Sequence, residues 1–203
     1  MRFKRLTCFV LALLIALPLS LSGSAFAAAT NDSSNHWAMS TLQKWKDQGL
    51  LQGYGNGQVR PDAPVTRAEF AAFLNRAFGL KEQAASLSFV DLASNHWGYR
   101  DISIAYQAGY IKGDSSQKVN PNGMTTRQEA AVMLAGALQL NGPANADLSV
   151  FKDANLIAGW ASKQVAALVE QSVMQGDKAG NFRPLSPITR AEAIVAIDNA
   201  LTR

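Results

Sequence analysis

Thr66-Arg67-Ala68-Glu69 returns as Thr126-Arg127-Gln128-Glu129 and again as Thr189-Arg190-Ala191-Glu192, each time at the same distance from a tryptophan. Counting from Trp37, Trp97 and Trp160, a glycine follows at +16 (Gly53, Gly113, Gly176), a proline at +24 (Pro61, Pro121, Pro184), and the quartet opens at +29. No insertion or deletion interrupts these intervals in any copy. A locked repeat of about 60 residues is one supersecondary unit used three times. The quartet also has a local meaning. Thr followed three residues later by Glu is a capping box, in which the Thr hydroxyl accepts from the N3 amide while Glu reaches back to the Thr amide. Each quartet therefore predicts the start of a helix.

Downstream of each quartet the apolar residues keep helical spacing: Phe70, Phe73, Leu74 and Phe78; Val132, Met133, Leu134 and Leu138; Ile194, Val195, Ile197 and Leu201. These faces are the expected core. Upstream, a first helix is expected to begin near each tryptophan, with apolar residues at helical spacing: Trp37, Leu42 and Trp45, then Trp97, Ile102, Ala105 and Tyr106, then Val165, Leu168 and Val169. Asn35 and Asn95 read as its N-terminal caps. Gly49 and Gly109 mark its end, where copy three has Ser172. Between the helices run Gly53 to Gly57, Gly113 to Ser116 and Gly176 to Gly180, which are turn signals, followed by one apolar plug, Val59, Val119 or Phe182. The fold class is all-α, as three helix-loop-helix repeats. A unit of about 60 residues buries too little apolar surface to stand comfortably alone, so the copies are expected to pack as one domain.

The first 27 residues read differently. Arg2, Lys4 and Arg5 precede an apolar run from Leu6 to Leu21, and Ala25-Phe26-Ala27 is a cleavage site, so residues 1–27 form a secretory signal peptide. Repeat one then spans 28–80, repeat two 87–140 and repeat three 149–203, with no transmembrane segment left after cleavage. Removing three of the 19 basic residues and none of the 15 acidic ones leaves a net charge near +1. That balance carries no nucleic-acid footprint. Cys8 leaves with the signal, so thiol chemistry and disulfides are excluded from the mature chain.

Several residues are candidates for binding chemistry. Arg67, Arg127 and Arg190 occupy the first helical position, where free amides and the helix dipole favour an anion that a guanidinium can grip bidentately. The alternative is that each arginine merely pairs with a neighbouring copy or is exposed. Trp37, Trp97 and Trp160 are expected mainly to pack, with an indole edge free to line a groove. Gly53, Gly113 and Gly176 shape the connection. Asp114 and Asp177 follow that glycine and either hold the turn or accept sugar hydroxyls. His36 and His96 lack further ligands for a metal. There is no cysteine nucleophile, no G-x-S-x-G, no H-E-x-x-H and no glycine-rich phosphate loop, so neither a catalytic residue nor a cofactor is expected.

These motifs resemble the S-layer homology motif. Phe89-x-Asp91 followed by His96-Trp97 opens copy two. Gly53-Tyr54 with Pro61 and Pro64 marks the middle of copy one, and Val65-Thr66-Arg67-Ala68-Glu69 or Ile188-Thr189-Arg190-Ala191-Glu192 closes copies one and three. The resemblance implies a pseudo-threefold spindle with a central three-helix bundle. It also implies a non-catalytic cell-surface anchor that binds the pyruvylated secondary polymer attached to peptidoglycan, in grooves between copies. Arg67, Arg127 and Arg190 match the family's conserved arginine; with the tryptophans, the glycines, Asp114 and Asp177 they form the expected site. The location implied is the cell wall of a Gram-positive-type envelope, with S-layer proteins as further partners. A protein-interaction scaffold and an extracellular carbohydrate-active enzyme are the competing readings. Copy one lacks the Phe-x-Asp opening and has Asn31-Asp32 there, copy two departs from the motif at Met124-Thr125 and Gln128, and copy three at Gly159.

Overall fold

The computed structural model describes residues 35–81 and 87–203. The expected signal peptide, residues 1–27, lies outside them, as does Asn31-Asp32. The described residues form six α-helices: α1 (Met39–Asp47), α2 (Arg67–Phe78), α3 (Tyr99–Gln107), α4 (Arg127–Ala137), α5 (Gly159–Glu170) and α6 (Arg190–Leu201). Their extended segments pair only as isolated antiparallel bridges. All three quartets form complete capping boxes, with Thr66, Thr126 and Thr189 accepting from the N3 amide of Glu69, Glu129 and Glu192.

The first helices start differently from expectation. α1 and α3 begin two residues beyond Trp37 and Trp97, and neither has a side-chain cap at Ala38 or Gly98. Asn35 and Asn95 are not the caps. The histidines that follow them reach the first free amides instead: His36 Nδ1 accepts from the Ala38 N–H at 3.2 Å and His96 Nδ1 from the Gly98 N–H at 3.1 Å. With Nδ1 accepting, the neutral ring carries its proton on Nε2, which faces Asp62 Oδ1 in copy one and Asn122 Oδ1 in copy two, both at 3.1 Å. The histidines therefore tie a helix start to the loop of their own copy.

At the other end of these helices the backbone turns left-handed, with φ of 71° at Gly49, 81° at Gly109 and 57° at Ser172. Only glycine adopts that conformation without a Cβ clash. Ser172→Gly is expected to raise stability by about 1 kcal/mol, read as a higher urea midpoint at unchanged slope.

Helices pack between copies. α3 rests on α2, α5 on α4, and α1 closes the circuit on α6. So the first helix of each copy lies on the second helix of the copy before it, while α2 also touches α4 and α6. Polar contacts mark two of these seams. Trp45, fully buried, donates its indole N–H to Asp198 at 2.9 Å, and Lys44 reaches the same carboxylate oxygen at 2.7 Å. Asn75 donates from Nδ2 to the Asp101 carbonyl at 3.0 Å and accepts at Oδ1 from the buried Tyr110 hydroxyl.

A closed ring of backbone bonds joins the three copies ahead of the second helices. The Val65 N–H donates to Ile188 O at 3.0 Å, Ile188 N–H to Thr125 O at 2.9 Å, and Thr125 N–H to Val65 O at 2.9 Å. Just beyond it, the Arg67, Arg127 and Arg190 amides donate to Gly123, Ser186 and Ala63 carbonyls, each at 2.9 Å. The following amides, of Ala68, Gln128 and Ala191, bond to Pro121, Pro184 and Pro61 carbonyls at 3.0, 3.1 and 2.9 Å. These are the donors that a helix N-terminus leaves unsatisfied. The next copy's loop fills them, so the helix ends offer no open amides to an anion, contrary to expectation. Any anion site here has to be made by side chains.

Candidate functional site

Three grooves follow from the cyclic packing, and each draws on three copies. In the first, the loop at Gly53 and Tyr54 meets Arg190 of copy three and Trp97 of copy two, with Glu69 on the floor. In the third, Gly176 and Asp177 meet Arg127 of copy two and Trp37 of copy one, beside Glu192. The second consists of two adjoining cavities that share Arg67, Lys112 and Glu129; Gly113 and Asp114 line one, and Trp160 of copy three lines the other. The first groove and the third enclose about 670 and 490 Å³, and the Trp160 cavity about 740 Å³, sizes within the ordinary range of small-ligand sites.

The tryptophans overturn the packing expectation. Trp37, Trp97 and Trp160 are 65%, 57% and 59% exposed, whereas Trp45, outside the repeat pattern, is the core tryptophan. Three recurring large rings left in water are unusual for a role in packing alone. His36 and His96 lie against the first two, with ring centroids 5.3 and 5.6 Å away.

Arg127 and Arg190 are only 5% and 3% exposed, and both clamp the adjoining loop. Arg127 donates from Nε to Phe182 O at 2.7 Å and from Nη2 to Gln175 O at 2.9 Å. Arg190 repeats this with Val59 O at 2.8 Å and Gln52 O at 3.2 Å. Each then faces a capping glutamate, Arg127 Nη1 with Glu192 Oε1 and Arg190 Nη1 with Glu69 Oε1, both at 3.4 Å. Burial pushes the Arg127 guanidinium below its ordinary pKa, and Glu192 opposes that shift. Burial alone would raise Glu192, but Arg127, the Thr189 amide and Arg183 outweigh it, so its carboxyl is held low. The pairing alternative thus describes these two arginines. Arg67 is different: it is half-buried, and among the described residues its one side-chain hydrogen bond, from Nη2 to Lys112 O, is long at 3.4 Å.

The repeated glycines and aspartates also resolve. A Cβ on Gly113 or Gly176 would sit 2.7 Å from the ring of Phe89 or Phe151, so these positions are small because an aromatic ring lies against them. Asp114 Oδ1 accepts from the Ser116 and Lys118 amides at 2.8 and 3.0 Å, and Asp177 Oδ1 from the Ala179 and Asn181 amides at 2.9 and 3.0 Å. Those bonds hold the turn. The Asn181 amide, first among several contacts, lowers the Asp177 carboxyl below its usual value.

Asp153, Arg183 and Arg60 also contribute and were not singled out from sequence, while Asp91 was quoted only as part of the motif that opens copy two. Asp91 and Asp153 accept pairs of loop amides, those of Val119 and Asn120 and those of Phe182 and Arg183, at 2.7 to 2.9 Å. The Phe-x-Asp pattern recurs at Phe151-x-Asp153 and was the available signal. Arg183 contacts Glu192 and lies 3.4 Å from Asp177. Arg60 stacks 4.2 Å from the Tyr54 ring centroid. Both precede the repeated proline, and both hold a left-handed backbone, φ 53° at Arg60 and 57° at Arg183. Holding a side-chain-bearing residue there costs about 1–3 kcal/mol, a strain that typically accompanies functional loops.

The S-layer homology domain pattern matches residues 29–71, 88–131 and 150–194, most of the chain. The chain belongs to the S-layer homology domain family. S-layer homology domains are non-catalytic cell-surface anchoring modules, and membership places the chain at the cell surface. It is 32% identical to the surface-layer 125 kDa protein of Lysinibacillus sphaericus over 87% of its own length and 15% of that protein's. It is 30% identical to an amylopullulanase of Thermoanaerobacterium thermosulfurigenes over 85% of its length and 9% of the relative's. A cellulosome-anchoring protein of Acetivibrio thermocellus shares 30% identity over 76% of this S-layer homology chain and 36% of the relative. The chain therefore spans a minor part of each relative. Among the described residues no helix is long and apolar enough to cross a membrane.

Proposed function

We propose that this S-layer homology chain anchors to the cell wall by holding an anionic wall polymer, of the pyruvylated secondary type attached to peptidoglycan, in the grooves between its copies. One observation carries the reading: three grooves each combine an exposed tryptophan, a cationic arginine and a tight loop drawn from three different copies. An exposed indole offers a flat apolar face to a sugar ring, and the basic side chains beside it suit an acidic substituent. Several modest sites on one polymer give avidity without one tight pocket.

The mature chain is expected to sediment with purified wall sacculi and to stay in solution after the secondary polymer has been stripped from them. Equal sedimentation with stripped walls would overturn the glycan reading, and retention by wall-bound protein alone would favour the scaffold. Replacing Trp37, Trp97 and Trp160 together by Ala is expected to weaken wall binding at least about tenfold, because each ring is a separate contact along the polymer. The melting temperature should hold within a few degrees, since exposed substitutions rarely cost more than about 0.5 kcal/mol each.

A further inference from the structure

Two departures from the repeat motif meet in space. Copy two carries Gln128 where the other quartets carry Ala68 and Ala191, and copy three carries Gly159 where the other copies carry His36 and His96. The quartet position faces the start of the next copy's first helix: a Cβ on Gly98 would lie 2.7 Å from the Ala68 Cβ. Copy three starts that helix differently. Trp160 lies seven positions beyond Asp153, whereas Trp97 lies six beyond Asp91, and a 3₁₀ turn at Ala154–Leu156 occupies the longer approach. α5 then begins at Gly159, so Trp160 is its second residue, while α1 and α3 begin two residues after Trp37 and Trp97. Trp160 is carried on its helix; the other two rings precede theirs.

The earlier start leaves a different amide to satisfy. In copies one and two the N–H that follows the tryptophan goes to the histidine ring. In copy three that amide, of Ala161, donates to Ala158 O at 2.8 Å, so no histidine is needed. What remains is the N–H of Ala158, the N-cap residue, which a capping box would satisfy through Glu or Gln at N3. α5 has Ala161 at N3 and no side-chain cap of its own. Gln128 supplies the missing half from α4: it is 5% exposed, and its Oε1 accepts from the Ala158 N–H at 3.0 Å. That bond offsets the cost of ordering and burying a polar side chain where alanine serves elsewhere. We infer that Gln128 is a positioning residue of the second groove, fixing the start of α5, and with it the exposed Trp160 ring, through a capping contact made across copies. The inference rests on the anchoring reading for what Trp160 does, and makes this groove depend on a residue outside its lining.

Two substitutions test the role. Gln128→Ala restores the residue of the other quartets, and Gln128→Glu keeps an acceptor at a helix start, where negative charge is favoured. In the protein free of walls, Gln128→Ala is expected to speed hydrogen exchange at the Ala158 amide about fivefold, the loss of one hydrogen bond. It should also move the Trp160 indole N–H resonance while those of Trp37 and Trp97 stay in place. Gln128→Glu should keep both signals near their original values. Sacculus binding should weaken about threefold in Gln128→Ala, the cost of re-ordering one loosened side chain, and recover in Gln128→Glu. A double-mutant cycle separates positioning from general stability: in a Trp160→Ala background, Gln128→Ala should cost no further binding. A residue that only supported the fold would move all three indole resonances and stay additive with Trp160→Ala. Unchanged exchange at Ala158, an unmoved Trp160 resonance or additive binding losses would each overturn the role. Should Gln128→Ala fail to fold, Gln128→Met keeps the volume without the acceptor and takes the same measurements. Exchange and resonances need no wall, so unchanged sacculus binding by Trp160→Ala would count against the anchoring reading while they still decide the positioning role.

Discussion

Arg127→Ala is expected to destabilise the protein by about 3–5 kcal/mol, the cost of removing one partner from a buried charge pair. The side chain is 5% exposed and bonds the carbonyls of Phe182 and Gln175. Without it both acceptors lose their donor, and among the described residues Glu192 keeps only Arg183 as a cationic neighbour. Arg190→Ala should cost a similar amount, since it clamps Val59 and Gln52 in the same way. Arg67→Ala, by contrast, removes one long hydrogen bond and should cost less than about 1 kcal/mol. Urea unfolding of the three variants, fitted with a common slope, makes the comparison. Equal losses at all three positions would show that the loop-clamping contacts carry no special weight. Wall-binding losses in Arg127 or Arg190 variants therefore need a stability measurement beside them, because a collapsed loop and a lost ligand contact produce the same phenotype.

Removing copy three has the larger structural consequence. A chain ending at residue 145 is expected to lose its cooperative thermal transition, not merely a third of its helix. α1 would lose α6, its packing partner, and the fully buried Trp45 would lose Asp198 and the surface around it. The Ile188 links of the bridging ring to Val65 and Thr125 would go as well. In a linear solenoid, deleting a terminal repeat subtracts one interface. Here it opens a closed circuit, and both remaining ends expose apolar surface. Far-ultraviolet circular dichroism against temperature decides between these pictures; a sharp two-state melt of the shortened chain would show that the copies stack in a line.

The capping boxes, the helix ends at Gly49 and Gly109 and the apolar faces of the second helices were legible because each depends on residues a few positions apart. Thr66 and Glu69 meet within one turn whatever surrounds them. The Trp37, Trp97 and Trp160 readings failed for the complementary reason: a large ring at a helix start suits a core or a groove equally well, and only the neighbouring copy settles which. Asn35 and Asn95 were plausible caps by type, yet the imidazole one residue later reaches the amide. The arginines were recognised as a set, but sequence could not divide them. Arg190 Nε meets a carbonyl 131 residues away, and no local pattern encodes that contact.

The sequence by itself determined a threefold helix-loop-helix chain, the start of each second helix, and the family, because short-range capping, turn chemistry and fixed spacing specify these locally. Tertiary structure alone decided that each copy packs on its neighbour, and that loop carbonyls consume the helix-terminal amides. It also decided that two of three identical arginines become buried clamps, while Arg67 keeps a buried donor beside the unpartnered Thr125 hydroxyl. Those outcomes depend on which surfaces meet when the ring closes, a long-range choice that identical local motifs cannot distinguish.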